Sequence, residues 1–275
     1  MINQSLVKWV GVQLAASLIG LMAAVAQTAA PQPAAPYEPS VGQKGKDVVW
    51  VPTPDGTVAK MLELTQVTPS DFVIDLGSGD GRTVIAAALR GAKTFGIEYE
   101  QPMVDLSIAN AAKAGVSDRA TFRQGDLFQS DFSQATVLTM FLLPDINLRL
   151  RPIILDMKPG TRVASNTFTM GDWEPDQKAE ANDCKSAYCT ALFWIVPAKV
   201  AGTWRSENGT LTLEQKYQMV SGTMQSGGTS REITAGRLKG EEITFTVGET
   251  IFTGRVSGNT IEGKAGSNAW RATRN

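Results

Sequence analysis

The chain has 275 residues, of which 43% are hydrophobic and 19% are charged, a composition typical of a globular protein and unlike that of a disordered chain. Its 26 basic and 27 acidic residues nearly balance, so the overall charge predicts no general attraction to nucleic acid. The chain has no histidine and only two cysteines, which excludes histidine-dependent catalytic triads and histidine-ligated zinc sites.

The first 26 residues have the pattern of a targeting segment. Lys8 precedes a mostly apolar stretch at residues 9–25, and Ala-Val-Ala at 24–26 is typical of a signal-peptide cleavage site. We therefore expect an exported, periplasmic protein. The alternative is an uncleaved anchor in the inner membrane, the one case in which membrane contact is expected, because the apolar stretch is just long enough to span a bilayer. Residues 27–45, which begin with an Ala/Pro-rich stretch, are interpreted as a linker.

Residues 46–199 alternate short apolar runs with helical patterns, which predicts an α/β domain built on a doubly wound, mainly parallel sheet. The predicted strands are FVIDL at 72–76 and the runs at 95–98, 121–123, 136–143, 162–168 and 191–196. The predicted helices cover 57–64, 82–90 and a segment that starts near Pro102 and stops near Gly115.

Residues 200–275 have a different pattern, with short β-like runs separated by Asn-Gly, Gly-Gly, Lys-Gly and Gly-Asn turn signals. About eight such runs follow one another without a helical pattern of useful length. This part of the chain is therefore predicted to be a small all-β domain, a barrel or sandwich of up-and-down hairpins.

A glycine-rich acidic loop is the motif that points to chemistry. In VIDLGSGDGR an apolar strand ends in Asp75, and Gly77, Gly79 and Gly81 lead into the next helix, which lets the backbone approach a ligand. The carboxyl end of a strand is where open α/β sheets bind ligands. The spacing differs from the Gly-x-Gly-x-x-Gly of dinucleotide folds, and the carboxylates of Asp75 and Asp80 would repel a pyrophosphate but attract a sulfonium or ammonium ion. The loop therefore favours S-adenosylmethionine over NAD.

Two further acids follow the next two predicted strands. Glu98 ends the second strand and is suited to accept hydrogen bonds from both ribose hydroxyls of an adenosine. Asp126 closes the third strand and is suited to the exocyclic amine of adenine. Three acids at successive strand ends, the first of them beside this loop, indicate a nucleoside-binding site.

The stretches 73–82, 96–99 and 125–127 resemble the first motifs of class I S-adenosylmethionine-dependent methyltransferases. Val-Pro-Thr-Pro at 51–54, Thr167-Phe168 and Trp173-x-Pro175 resemble the subgroup of bacterial and mitochondrial protein-lysine methyltransferases that includes the ATP synthase c-subunit enzyme. The resemblance implies a Rossmann-like seven-stranded sheet whose last strand, 191–196, is antiparallel. It also implies the cofactor S-adenosyl-L-methionine and methyl transfer to an acceptor such as a protein lysine, with the C-terminal β domain as an addition to the family pattern.

The resemblance also implies which residues bind the cofactor. The methionine moiety would contact Asp75, Gly77 and Gly79, the ribose Glu98, and the adenine Asp126. The full predicted set lies in the matching motifs and consists of Thr53, Asp75, Gly77, Ser78, Gly79, Gly81, Glu98, Tyr99, Asp126 and Leu127.

The acceptor side is less specified by the sequence. Methyl transfer from a sulfonium is dominated by positioning, so it needs little acid–base machinery. Asp145 could face the acceptor, although the cap of a helix that runs through Leu155 is the preferred interpretation. Phe141 could wall the donor, and Trp173 and Tyr188 could shape an acceptor channel, with packing as the alternative for each.

Nucleic-acid amino-methyltransferases tend to carry an Asn/Asp-Pro-Pro-aromatic turn after the fourth strand, where this chain reads FLLPD at 141–145. A nucleic-acid acceptor is therefore not expected, and no metal is expected either. Cys184 and Cys189 are expected to pair if the protein is exported to an oxidising compartment.

An exported enzyme would lie away from the cytosolic methyl donor, so three interpretations stay open. The chain is an exported methyltransferase, an anchored methyltransferase whose catalytic domain stays on the donor side, or a non-catalytic exported binding protein that retains the fold and recognises a ligand or partner through its β domain. The intact acids Asp75, Glu98 and Asp126 favour the enzyme.

Overall fold

A computed structural model describes residues 37–182 and 184–274 of the chain. The predicted targeting segment and residues 27–36 of the predicted linker lie outside the described residues. Within the described part of the chain, no helix combines the length and the apolar character needed to cross a bilayer.

A seven-stranded sheet forms the first half of the described chain. Its strands are, in chain order, β1 (Phe72–Leu76), β2 (Lys93–Glu98), β3 (Ala120–Gln124), β4 (Val137–Met140), β5 (Arg162–Asn166), β6 (Gln177–Glu180) and β7 (Thr190–Ile195). They lie side by side in the order β3-β2-β1-β4-β5-β7-β6, with β7 antiparallel to both of its neighbours and the other pairs parallel. The predicted Rossmann-like sheet with an antiparallel last strand is confirmed. Strand β6 was not predicted, because QKAE has neither an apolar run nor a clear alternation.

Four helices cover the sheet: α1 (Asp55–Leu64), α2 (Arg82–Leu89), α3 (Gln101–Lys113) and α4 (Pro144–Leu155). Alternation along β1 separates the two faces, since Val73 packs with side chains of α1 and α2 while Ile74 packs with α4. The carboxyl ends of β1 to β4 therefore meet at one edge of a sheet that is covered on both faces.

Helix α4 begins two residues earlier than a cap at Asp145 would require, so the prediction that Asp145 caps it is wrong. Leu143 is at the N-cap position and Pro144 is the first helical residue, because its fixed φ suits that position and its missing N–H costs no hydrogen bond there. Asp145 lies in the first turn and is exposed, where its charge is favourable near the positive end of the helix.

Residues 202–273 form a closed antiparallel barrel of eight strands, which confirms the small all-β domain and selects the barrel over the sandwich. Its strands are β8 (Gly202–Ser206), β9 (Gly209–Lys216), β10 (Met219–Ser226), β11 (Thr229–Lys239), β12 (Glu242–Val247), β13 (Thr250–Ser257), β14 (Thr260–Ala265) and β15 (Asn268–Thr273). Each pairs with the next, and β15 returns to β8. The interior is filled by side chains such as Phe245, Phe252 and Trp270, whose ring centroids are 4.9 to 5.8 Å apart.

A turn at residues 217–218 joins β9 to β10. Tyr217 has φ +55°, and strand β10 begins only at Met219. Tyr217 and Gln218 leave the barrel strands here and face the α/β half instead.

A cation–aromatic contact joins the first strand of the barrel, β8, to the residue that follows its last strand, β15. Trp204 on β8 is fully buried, and the Arg274 guanidinium lies 4.6 Å from the centroid of its ring. Arg274 also donates hydrogen bonds to the carbonyls of Lys199 (3.0 Å) and Ala201 (3.2 Å), so the residue that follows β15 holds the segment that leads into β8.

The barrel and the α/β half share buried polar contacts around Trp173. The Trp173 indole is fully buried and donates a hydrogen bond to Gln218 Oε1 (2.9 Å), and Gln218 Nε2 donates to the carbonyl of Glu174 (2.9 Å). Arg237 adds an ion pair with Asp176 (2.6 Å). Trp173 therefore lies in the contact between the two halves and has no place in an acceptor channel; the packing interpretation is the correct one.

This contact predicts a specific loss of stability. Gln218→Leu should lower the free energy of unfolding by about 1–3 kcal/mol, because the buried indole N–H of Trp173 then has no acceptor. In urea denaturation, Trp173→Phe should reduce the additional cost of Gln218→Leu, since the donor is gone. Gln225 is an exposed glutamine on β10, so Gln225→Leu is the matched control. It should change the free energy of unfolding by less than about 0.5 kcal/mol. Equal effects of the two leucine variants would contradict the assignment.

Candidate active site

The glycine-rich loop after β1 is bonded to the end of β2. The amides of Gly77 and Ser78 both donate to the carbonyl of Ile97 (2.9 and 3.0 Å), and the Gly79 amide donates to Glu98 Oε2 (2.9 Å). A Cβ atom at Gly79 would lie 2.8 Å from Trp50 Nε1, and the backbone there has φ +56°. Glycine is required at this position because both the space and the backbone conformation exclude a side chain.

Gly81 has a packing role. It has φ +81° and is the N-cap residue of α2, and a Cβ atom there would lie 2.9 Å from the ring of Phe122. The structure places Gly81 outside the walls of the cavity described below. The expectation that it contacts the cofactor is therefore not supported by its position.

A cavity opens at the carboxyl edge of β1 to β4, next to the loop. The sequence-predicted residues that line it are Thr53, Asp75, Gly77, Ser78, Gly79, Glu98, Tyr99, Asp126, Leu127 and Phe141. They come from four strand ends and the segment before α1, and the parallel sheet brings them together because its carboxyl ends share one edge. Asp145 is absent from the walls and is exposed on α4.

Asp75 is a buried carboxyl group in the floor of this cavity. Thr139 Oγ1 donates to Asp75 Oδ1 (2.6 Å) from the neighbouring strand β4. Burial raises the pKa of Asp75 to about 8, and the negative charges of Glu98 and Asp80 act in the same direction. An isolated carboxylate here is unfavourable, so a cationic ligand would be attracted to the floor of the cavity.

Glu98 is held at the end of β2 by three backbone N–H groups. Gly79 donates to its Oε2, while Tyr99 (2.8 Å) and Glu100 (3.0 Å) donate to its Oε1. Burial raises the pKa of Glu98 although these bonds act against the rise. The carboxylate is fixed in position, and Oε2 retains one acceptor position for a ligand hydroxyl.

Asp80 differs from the expectation of a free carboxylate beside the ligand. It forms a bidentate ion pair with Arg82, whose Nη2 lies 2.6 Å from Oδ2 and whose Nε lies 3.0 Å from Oδ1. Arg82 also donates to the carbonyl of Thr53 (3.1 Å), which links the loop to the segment before α1. The buried acidic groups that face the cavity without a cationic partner are therefore Asp75 and Glu98.

Residues 43–53, called here the N-terminal strap, form the outer wall of the cavity, a feature that the sequence analysis missed. Lys46 Nζ lies 2.7 Å from Asp126 Oδ2 and 4.9 Å from the centroid of the Tyr99 ring, and this ion pair lowers the pKa of Asp126. Residues 43 and 45, which were interpreted as linker, line the cavity. The local signal was absent, because a polar GQKGK stretch gives no apolar periodicity.

The opposite side of the cavity is aromatic. Phe141 follows β4, Phe168 follows β5 and Tyr188 precedes β7, and all three rings line the cavity. Tyr188 belongs to a short loop that is closed by a disulfide between Cys184 and Cys189, whose Cα atoms are 5.5 Å apart. Of these rings, Phe168 was noted in the sequence only as part of a motif.

The site therefore combines a buried carboxyl, a fixed carboxylate acceptor, a wall of apolar side chains and room beside a glycine backbone. Such a cavity fits a cationic nucleoside with an apolar ring system, and S-adenosylmethionine has these properties. A pyrophosphate has no comparable group of cations among the described wall residues, since Lys46 and Arg82 are both paired with aspartates.

Asp75 predicts how the stability of the ligand-free protein depends on pH. Its folded-state pKa of about 8 lies above the unfolded value of about 3.9, so the unfolded state loses its proton first. This group therefore contributes a fall in the free energy of unfolding as the pH rises from about 4 to about 8. Asp75→Asn has no charge to bury, so in urea denaturation it should be more stable than wild type at pH 7.5, and the difference should shrink at pH 5.

Asp105→Asn, at an exposed site on α3, is the control and should keep the wild-type pH dependence. If Asp75→Asn showed that same dependence, the assignment of a raised pKa to this carboxyl would be incorrect.

Comparison with known proteins identifies the family. The model of the ANTKMT methyltransferase domain matches residues 75–177. A protein-lysine N-methyltransferase of Saccharolobus islandicus (strain REY15A) is 40% identical over 151 residues, which are 54% of this chain and 94% of that relative. The ATP synthase c-subunit lysine N-methyltransferase of Homo sapiens is 33% identical over 138 residues, or 50% of this chain and 58% of that protein.

Among solved structures, an RNA methyltransferase from Salinibacter ruber in complex with S-adenosyl-L-homocysteine is 45% identical, with a TM-score of 0.51, and the match covers 55% of this chain and 96% of that one. Residues 75–177, which the family model matches, supply much of the cavity wall, and the Salinibacter ruber structure holds S-adenosyl-L-homocysteine, the demethylated form of S-adenosylmethionine. The chain therefore belongs to the family of S-adenosylmethionine-dependent methyltransferases with the ANTKMT methyltransferase domain, which includes these protein-lysine N-methyltransferases.

Proposed function

We propose that this methyltransferase transfers the methyl group of S-adenosylmethionine to the ε-amine of a lysine in a protein. The observation that carries the proposal is the match to a protein-lysine N-methyltransferase over 94% of that relative. The apolar aromatic side of the cavity supports it, because a lysine side chain has a long apolar stem that can pass along rings while its nitrogen reaches the donor.

The residue roles that we propose are those implied by the resemblance to class I methyltransferases, and they are supported by the presence of each residue in the cavity wall. Asp75 and Gly79 would bind the methionine end of the donor, Glu98 would accept from the ribose, and Asp126 would lie at the adenine end next to Lys46. S-adenosylmethionine supplies an already activated methyl group, so the chain's residues act mainly by positioning. An acceptor lysine must lose its proton first, and the desolvated aromatic side of the cavity lowers the cost of that loss.

RNA is the second candidate acceptor, because the Salinibacter ruber protein of known structure is described as an RNA methyltransferase. Against it stand the balanced charge of the chain and the FLLPD sequence after β4. The two candidate acceptors, a protein lysine and RNA, differ in the atom that receives the methyl group, so a single assay that locates the transferred methyl group distinguishes them.

The assay uses the full chain with donor labelled in the methyl group. The isolated c-subunit of ATP synthase, the adenine nucleotide translocase and total ribosomal RNA are offered in parallel as acceptors. We expect label on a protein lysine, located by mass spectrometry. Glu98→Gln should weaken donor binding at least about tenfold through loss of a charged acceptor, whereas Asp105→Asn should leave it unchanged. Label in RNA alone would reject the lysine proposal and retain the methyltransferase.

We further propose that the catalytic half is exported. The apolar segment at residues 9–25 supports this, and so does the Cys184–Cys189 disulfide, because such bonds persist mainly in oxidising compartments. N-terminal sequencing of the protein purified from its host, with cell fractionation, should give a mature chain that begins near residue 27 in the periplasmic fraction. An intact N-terminus in the membrane fraction would favour the anchored alternative instead.

A further inference from the structure

Trp50 is a residue of the N-terminal strap whose indole lies beside the glycine-rich loop. Its side chain is half-buried and lines the cavity, and a Cβ atom added at Gly79 would lie 2.8 Å from the indole nitrogen. The indole N–H donates to no acceptor within residues 37–182 and 184–274. An indole nitrogen can only donate a hydrogen bond, so Trp50 offers an unused donor to a ligand beside the loop.

The other tryptophans in the described part of the chain are arranged differently. Trp173, Trp194 and Trp204 are fully buried, and each donates its indole N–H to an acceptor of the protein at 2.7 to 2.9 Å. Trp270 is buried inside the barrel, where its ring packs on two phenylalanines. Among the described tryptophans, Trp50 alone presents its indole N–H to the catalytic cavity.

The strap is anchored on both sides of Trp50. The Lys46 ammonium pairs with Asp126 at one side (2.7 Å), and Arg82 donates to the carbonyl of Thr53 at the other (3.1 Å). The backbone N–H and carbonyl of Trp50 form hydrogen bonds of 2.9 and 2.8 Å within the same segment. The indole is therefore held at the cavity before a ligand binds, which lowers the entropy that binding would cost.

The methionine end of the donor has two charged groups, an ammonium and a carboxylate, and the carboxylate needs hydrogen-bond donors. The glycine-rich loop offers few, because the amides of residues 77, 78, 79 and 81 all donate to acceptors inside the protein. In this loop, only the amide of Asp80 has no acceptor among the described residues. The cations of the described wall, Lys46 and Arg82, are both paired with aspartates. Recognition of the carboxylate therefore depends on neutral donors.

We propose that the Trp50 indole N–H donates a hydrogen bond to the carboxylate of the donor, so that the strap selects nucleosides with an amino-acid end. The resemblance to class I methyltransferases puts the methionine moiety at Gly79, next to the indole. A hydrogen bond to a carboxylate is stronger than one between neutral groups, and exclusion of water from the site strengthens it further. The inference rests on the S-adenosylmethionine dependence of the family and is independent of the acceptor.

The test compares S-adenosylhomocysteine with its decarboxylated analogue, which keeps the adenosine, the sulfur and the ammonium but has no carboxylate. Each is titrated into the full chain by calorimetry, so binding is measured without an acceptor and without turnover. We expect the wild type to bind S-adenosylhomocysteine at least about tenfold more tightly than the analogue. Equal affinities would overturn the proposal, because no group of the site would then recognise the carboxylate.

Trp50→Phe assigns the preference to the indole N–H, since it keeps an aromatic ring and removes the donor. It should weaken S-adenosylhomocysteine binding at least about fivefold and change binding of the decarboxylated analogue by less than about twofold. Equal losses for the two ligands would mean that Trp50 acts by packing alone, contrary to the proposal. Lys44→Met removes an exposed cation of the strap outside the cavity wall, and this control should leave both affinities unchanged.

A second readout uses the wild type, so it stays decisive if Trp50→Phe does not fold. Proton–nitrogen NMR of the full chain, labelled at the tryptophan indole nitrogens, reports hydrogen bonding at each ring. S-adenosylhomocysteine should move one indole N–H resonance downfield, and the decarboxylated analogue should not. The resonances of Trp173, Trp194 and Trp204 should change little, because these indoles already donate within the protein. The same shifts with both ligands, or with neither, would contradict the proposal.

Discussion

Two buried carboxyl groups at the carboxyl edge of the parallel sheet are the constraint on which the active site depends. Asp75 and Glu98 lie at the ends of adjacent strands, and the sheet geometry holds them there whether or not a ligand is present. Their burial destabilises the ligand-free protein near neutral pH, and a cationic donor relieves that cost. The two buried carboxyl groups are stabilised differently: backbone N–H groups donate to Glu98, and the Thr139 hydroxyl alone donates to Asp75. Burial raises the pKa of both groups, but three backbone N–H groups oppose the rise at Glu98, whereas only the Thr139 hydroxyl opposes it at Asp75.

Part of this site could be predicted from sequence because its chemistry follows from local pattern. Asp75, Glu98 and Asp126 end strands that alternate with helices, and Gly79 has a backbone conformation that a side chain would strain. Lys46 could not be predicted, because its partner Asp126 is 80 positions away and the strap has no periodicity. The ion pair between Asp80 and Arg82 was also missed, although both residues lie in the motif, because Asp80 was treated as an unpaired carboxylate.

Of three neighbouring rings that line the cavity, Phe141 and Tyr188 could be named from the sequence as candidates, whereas Phe168 could not. Phe168 and Tyr188 come together only because β7 pairs with β5 in antiparallel register, and that pairing brings the turn after one strand beside the loop before the other. Single rings in a sequence are most often core residues, which proved correct for Trp173. Phe168 follows a turn in which Thr167 has φ +61°, and no pattern of residues in the sequence predicts this backbone conformation. Topology, rather than composition, therefore defines the acceptor side.

The closure of the barrel has an evolutionary consequence. Because β15 pairs with β8, the chain enters and leaves the barrel on neighbouring strands. The barrel therefore has no unpaired strand edge that could pair with the sheet of the catalytic half. A module of this kind can be joined to an existing enzyme without rearranging the enzyme's strands. The polar contacts around Trp173 and Gln218 then join the closed barrel to the open sheet of the catalytic half.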